Sequence, residues 1–157
     1  MNARPQDLGS QQGLASPKTL LRGRIDGTEP AVRHTLTRLQ RETDALGLPT
    51  ERWSEIVIVL GEVLNNIVEH ALAGRKDGWI DVVITLRDGR LFAQTRDDGR
   101  PLPLALLTHG TLPDNSGPVE DLPEGGFGWF IIHSLAKDMT YERDDGLNRL
   151  SFNLAAR

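Results

Sequence analysis

Apolar positions along the chain fall into two rhythms, one of about 3.6 residues and one of two. Val32, Leu36, Leu39, Thr43 and Leu46 form a stripe at helical spacing. Thr28 stands ahead of it as a good N-cap, with Glu29 and Pro30 in the first turn, and Gly47 with Pro49 ends it. Thr50 is the next N-cap. The helix after it runs to about Ala73, with Trp53, Val57, Leu60, Leu64, Ile67 and Ala71 facing inward, and Gly74 stops it. Residues 79–86 and 91–97 read as strands joined by Asp88-Gly89, a strong two-residue hairpin signal. Residues 19–26, 139–143 and 147–154 are further strands. In the last, Leu150, Phe152 and Leu154 alternate with Arg149, Ser151 and Asn153, which predicts one buried and one wet face. A helix is expected over residues 129–137 and a short helical turn over 101–107. Residues 108–124 are rich in Pro, Gly, Asp and Glu and carry no period. A loop of that length is usually functional or disordered.

Helices and strands in this order do not alternate regularly. The expected class is α+β: a two-layer sandwich in which a mixed, mostly antiparallel sheet carries helices on one face. The 157 residues fit one domain, placed at 19–157 behind a flexible tail at 1–18.

Composition narrows the function. Eighteen Lys and Arg against 22 Asp and Glu leave a net charge of −4, which argues against binding nucleic acid by phosphate neutralisation. Aromatic residues make up only 5%, too few for base-stacking platforms. The chain has no cysteine, so thiol catalysis and cysteine zinc sites are excluded. No apolar run is long enough to span a membrane, and residues 1–17 show no secretory signal. The default expectation is a cytoplasmic protein.

Three clusters carry candidate chemistry. Glu62, Asn66 and His70 stand at i, i+4 and i+8 on the second helix, with Glu62 opposite Trp53, Leu60 and Ala71, each of the other two displaced by about 40° more, and Asn65 and Glu69 beside them. A solvated face has the same outline, but two adjacent asparagines in mid-helix are poor helix formers. A carboxylate and an amide carbonyl one turn apart can hold Mg²⁺ and orient a hydroxyl. Asp97-Asp98-Gly99 ends a strand, where alternation puts Asp97 with Leu91, Ala93 and Thr95 and turns Asp98 the other way. Taken alone it is also ordinary turn chemistry. Gly125-Gly126-Phe127-Gly128 opens a helix, where free N–H groups suit phosphate oxygens, though a flexible connector looks alike. It is not a P-loop, because no Gly-Lys-[Ser/Thr] follows.

Taken together, in this order and spacing, the clusters resemble those of the Bergerat-fold ATPases. Most similar are the small bacterial anti-sigma-factor serine kinases of the RsbW/SpoIIAB type, over about residues 19–154. The resemblance implies that the stretch from Gly61 through Ala71 is the family's N box, with Glu62 the general base, Asn66 the Mg²⁺ ligand and His70 part of the ATP site. It implies that Asp97 accepts from the adenine amino group and that Gly99 lets the base approach. Gly125, Gly126, Phe127 and Gly128 would bind ATP at the end of a lid. The closing stretch from Tyr141 to Leu150 also resembles the family's last strands. The implied cofactors are ATP and Mg²⁺. The implied activity is phosphorylation of a Ser or Thr on an anti-sigma-factor antagonist, a STAS-type domain, with sequestration of a sigma factor or similar regulator by a homodimer. The alternative is a non-catalytic ATP-binding partner switch.

One departure bears on the chemistry. No Lys or Arg lies between Arg100 and Lys137, and the lid carries Asp114, Glu120, Asp121 and Glu124. Cationic clamps on the transferred phosphoryl group are a main source of catalysis in such reactions. Transfer is therefore expected to be slow unless Arg100, Arg149 or a protonated His109 supplies the charge. His34 is read as a surface residue and His133 as a packing residue, so any phosphate acceptor lies on another protein.

Overall fold

The computed structural model describes residues 16–103 and 126–157. Strand β1 (Lys18–Asp26) leads into helix α1 (Glu29–Asp44) and helix α2 (Thr50–Asn66), which continues as one π-helical turn (Ile67–Ala71). Strands β2 (Trp79–Arg87) and β3 (Arg90–Asp97) follow, then helix α3 (Gly126–Leu135) and strands β4 (Lys137–Asp144) and β5 (Leu147–Ala155). The strands form one five-stranded sheet in the order β1-β2-β3-β5-β4. Among the described residues all four pairings are antiparallel, so the sheet they form is antiparallel rather than mixed.

The helix signals operate as local chemistry predicts, with two differences. The Thr28 hydroxyl accepts from the Ala31 N–H at 3.3 Å, and Glu29 sits in the first turn of α1, where a carboxylate favours the helix dipole. At α2 the cap position falls to Pro49, whose carbonyl accepts from Trp53 N–H at 3.0 Å. Thr50 is thus the first helical residue and not the cap. Helix α3 begins at Gly126, three residues ahead of the expected start, so the second glycine motif forms its first turn. Its end is also earlier, because Lys137 belongs to β4. The hairpin between β2 and β3 turns through Asp88 and Gly89 with φ of 51° and 72°, the paired left-handed conformation that suits a two-residue turn. Asp145-Gly146 repeats it between β4 and β5.

One face of the sheet is covered. Helix α2 lies between α1 and α3, and its buried Ile56, Val59, Leu60, Val63 and Leu64 meet the apolar rows of the strands. Those rows are Ile80, Val82, Ile84 and Leu86 on β2, Leu91 and Ala93 on β3, and Leu150, Phe152 and Leu154 on β5. Burying a side chain of this kind is worth about 1.5–3 kcal/mol. Toward one end of the sheet the rows on β3 and β5 turn polar, and the last residues on the covered face are Asp97 and Asn148, paired across the two strands.

The other face carries charge. Asp81 accepts from Arg24 Nε at 2.7 Å and Arg96 Nη2 at 2.6 Å, and the Arg24 guanidinium lies 3.7 Å above the Trp79 ring. Asn153, expected on this wet face, is buried. Its amide carbonyl accepts from Arg90 and its amine donates to Asp138 at 2.8 Å, which shields it from solvent. No helix among the described residues is long and apolar enough to cross a membrane.

Candidate functional site

Residues 62–71 form the spine of the site, with the two glycine motifs docked at its opposite ends. At the far end, the first glycine motif meets the π turn. The turn closes with Leu72 N–H donating to Ile67 C=O at 2.9 Å, one residue beyond the α-helical spacing. The Ala71 carbonyl is then left to accept from Arg100 N–H at 2.9 Å, and Arg100 Nε donates to the His70 carbonyl at 3.1 Å. Gly99 is pressed on this carbonyl so closely that a Cβ there would collide with the backbone C and O of Ala71. Glycine is required at this position for packing.

Asp97 is 2% exposed, on the face that strand alternation assigns it. Its Oδ1 accepts from Gly99 N–H and from Asn148 Nδ2, both at 2.9 Å. Among the described residues no hydrogen bond reaches Oδ2. Burial pushes the carboxyl above its ordinary range, and the Asn148 and Gly99 donors and the Arg143 charge oppose that push. Asp98 turns away, as expected, and pairs with Arg75 through Oδ2 at 2.9 Å.

At the near end, Glu62 is half-buried and Asn66 is 5% exposed. Asn66 Nδ2 donates to the Glu62 carbonyl at 2.6 Å. That bond turns the amine toward the helix backbone, using one of its two N–H groups, and leaves Oδ1, a hard oxygen of the kind Mg²⁺ accepts. Gly128, in the first turn of α3, lies against both residues: a Cβ there would collide with Glu62 Oε2 and stand 3.6 Å from Asn66 Nδ2. The first-turn N–H groups of α3 lack partners within the helix and so favour anionic oxygens. Among the described residues, no cluster of three or more His, Cys, Asp and Glu side chains could hold a metal by itself. An ion here would need oxygens from a ligand beside the Asn66 amide, which is how Mg²⁺ commonly binds with phosphates.

The structure therefore brings Gly128 to Glu62 and Asn66 at one end of the 62–71 helical segment and Gly99, with Asp97 beside it, to Ala71 at the other. His70 joins through its carbonyl. Gly126 is in the same first turn as Gly128, Phe127 lies between them, and Gly125 lies outside the described residues, as do residues 108–124 with His109 and the four acidic groups. Arg149, expected as a candidate source of charge, does not serve as one: it is exposed on the open face of the sheet, between buried Asn148 and Leu150, and lines a groove there with Arg24, Asp81 and Arg96. It stands on the opposite side of the sheet from Asp97 and supplies no charge to the site. His34 is exposed, and the His133 ring lies tilted by 34° against Trp129 with centroids 5.9 Å apart.

The sequence reading missed the role of Asn148. The signal was present in the parity of β5, since counting back from Leu154, Phe152 and Leu150 places an asparagine on the buried face.

Residues 26–154 match the family described as the histidine kinase-like ATPase domain. The chain is 32% identical over 107 residues to the serine-protein kinase RsbW of Bacillus mycoides (strain KBAB4) and 33% identical over the same length to that of Bacillus thuringiensis (strain Al Hakam). Each match covers 67% of this chain and 66% of the relative's length. The crystal structure of the RsbU and RsbW domains of Rv1364c from Mycobacterium tuberculosis superposes with a TM-score of 0.59 at 20% identity, over 88% of this chain and 32% of that one, which is agreement in fold. The family match takes in the spine helix and both glycine motifs, and on that extent the chain belongs to the histidine kinase-like ATPase domain family.

Proposed function

We propose that the protein binds Mg·ATP along the 62–71 segment and phosphorylates a Ser or Thr on an anti-sigma-factor antagonist with a STAS-type domain. The observation that carries the reading is the docking of the two glycines at opposite ends of one helix, Gly99 beside a buried acceptor and Gly128 beside a carboxylate and an amide. The two ends are nine positions apart along the helix, about 13 Å at the α-helical rise. Asp97 Oδ2 accepts from the adenine amino group, and guanine, with an oxygen at that position, is refused. The first turn of α3 receives phosphate oxygens. Asn66 Oδ1 holds Mg²⁺, which neutralises phosphate charge when it is bound. Glu62 takes the proton of the acceptor hydroxyl as its oxygen bonds to the γ-phosphorus and the bond to the bridging oxygen breaks, releasing ADP. The serine-protein kinase relatives support this activity.

In the same reading the protein is a cytoplasmic homodimer. It sequesters a sigma factor or similar regulator, and antagonist phosphorylation decides which partner it holds. The absence of Lys and Arg between Arg100 and Lys137 favours a second reading, in which ATP binding alone selects the partner. Titration calorimetry with Mg·ATP and Mg·GTP, followed by single-turnover transfer of labelled γ-phosphate to a candidate antagonist, tests both. ATP preference with transfer supports the kinase. ATP preference without transfer supports the non-catalytic switch. Equal binding of both nucleotides overturns the placement of the base at Asp97.

A further inference from the structure

We infer that Asn148 is a positioning residue of the nucleotide site: locked by Tyr141 and Arg143, its amide fixes the Asp97 carboxylate so that a single oxygen is presented to the base. The inference rests on the reading of Asp97 as the base acceptor.

The orientation of the amide is forced by what surrounds it. On one side stand two donors: the Tyr141 hydroxyl, 2.6 Å from Oδ1, and Arg143 Nη1, 2.8 Å from it. On the other side stand three acceptors within reach of Nδ2: Asp97 Oδ1 and the Arg100 carbonyl, both at 2.9 Å, and the Gly99 carbonyl at 3.4 Å. A flipped amide would set its amine against a guanidinium, which has no acceptor, and its carbonyl against three oxygens. The direction of the Tyr141 hydroxyl is fixed in turn. Leu102 N–H, which can only donate, reaches that oxygen at 3.1 Å, so its hydrogen is free to point at Asn148. Arg143 Nη1 also donates to the Gly99 carbonyl at 2.9 Å and ties the glycine into the same bracket.

The consequence falls on Asp97. With Oδ1 held by Asn148 and Gly99, the carboxylate cannot rotate without breaking two hydrogen bonds in a place where water does not replace them. Asn148 is itself 2% exposed on a row otherwise filled by Leu150, Phe152 and Leu154, where an apolar side chain would serve a core better. A buried polar group with every partner supplied rigidifies its surroundings. The Asn148 donor also opposes the effect of burial on the Asp97 carboxyl. Its removal therefore leaves Asp97 harder to ionise as well as freer to turn.

The test compares ATP with purine riboside triphosphate, which lacks the 6-amino group, by titration calorimetry over a pH series, with thermal unfolding as a check on the fold. The parent is expected to prefer ATP by roughly 5- to 150-fold, the equivalent of one unpaired buried group. Asn148→Ala should bring that ratio toward unity and move the acid limb of ATP binding to higher pH. Asn148→Asp, which sets a second carboxylate against Asp97, should do both more strongly. Tyr141→Phe removes one of the two donors that hold the amide and should give a smaller change in the same direction. It serves as the deciding variant if the Asn148 variants fail to fold. A folded Asn148→Ala, or a Tyr141→Phe standing in for it, with the parent's ratio and pH profile would reduce Asn148 to a core filler and overturn the inference. A parent without preference for ATP would remove Asp97 from the base and the underlying reading with it.

Discussion

The two ends of the 62–71 segment are built to different standards of rigidity. At the Ala71 end, Asp97, Asn148, Tyr141, Arg143, Gly99 and Leu102 share one connected set of hydrogen bonds. At the Glu62 end, the one hydrogen bond among the described residues that involves the site groups joins Asn66 to the Glu62 carbonyl, and the rest is close packing against Gly128. Recognition of a flat base profits from fixed acceptors. A transferred phosphoryl group changes shape and charge as it moves, and a long carboxylate side chain can follow it. The contrast suggests that selection of the nucleotide is settled by preorganised groups and that the chemical end is completed by what binds there.

The strongest way to break the contrast is at Glu62. Glu62→Gln should lower single-turnover transfer by about 10²–10⁴-fold, the usual worth of a positioned base, with Mg·ATP affinity unchanged. Equal losses in affinity and transfer would move Glu62 from the chemistry to the binding of the nucleotide. Asp97→Asn should act the other way. It sets an amine toward the adenine amino group and should cost about 1–3 kcal/mol of ATP affinity, roughly 5- to 150-fold. The same variant should be at least as stable as the parent near neutral pH. Burial raises the Asp97 carboxyl in the folded state, so the parent loses stability as pH rises through that raised value. Asparagine escapes the loss, and the advantage should vanish in acid, where the parent's carboxyl is neutral too. Denaturant titrations at several pH values would show it, and a variant less stable at neutral pH would refute it.

The glycines sharpen the comparison further. Gly99→Ala meets the Ala71 backbone, which cannot step aside, and should destabilise by about 1–3 kcal/mol. Gly128→Ala meets the tip of the Glu62 side chain, which can swing away, so its stability cost should be the smaller while transfer falls. Urea melts of both would test the order, and a reversed order would mean that the Glu62 end is the stiffer. The smallest effect is expected at Arg149 on the far face of the sheet. Arg149→Ala should change stability by no more than about 0.5 kcal/mol and leave nucleotide binding as it was. A loss of transfer in that variant would show its guanidinium reaching the phosphates after all.

Local rules made much of this legible in advance. The Thr28 cap, the stripe of α1, the Asp88-Gly89 turn and the inward face of Asp97 all follow from interactions within a few residues. Docking of the glycines on the spine did not, because neither Gly99 nor Gly128 announces which backbone or side chain will crowd it. Asn148 was hidden for a related reason. Its meaning comes from Asp97, 51 positions away, and only the pairing of β3 with β5 sets the two face to face. The onset of α3 at Gly126 shows the same limit. Glycine is a poor helix former by propensity, yet two glycines stand in this first turn, and Gly128 is packed so closely on Glu62 that a larger side chain would collide with it.

The π turn sets a rule for how the gene can change length. It holds one residue more than an α-helical turn between the Asn66 end and the Ala71 end of the spine. Deleting any residue from Ile67–Ala71 would let the helix relax to regular geometry, and by local propensity alone that would be an improvement. It would also close the widened turn from which the Ala71 carbonyl reaches the Arg100 N–H. The carbonyl on which Gly99 and Arg100 rest would then face elsewhere. Substitutions along this segment are negotiable one at a time, whereas its residue count is not.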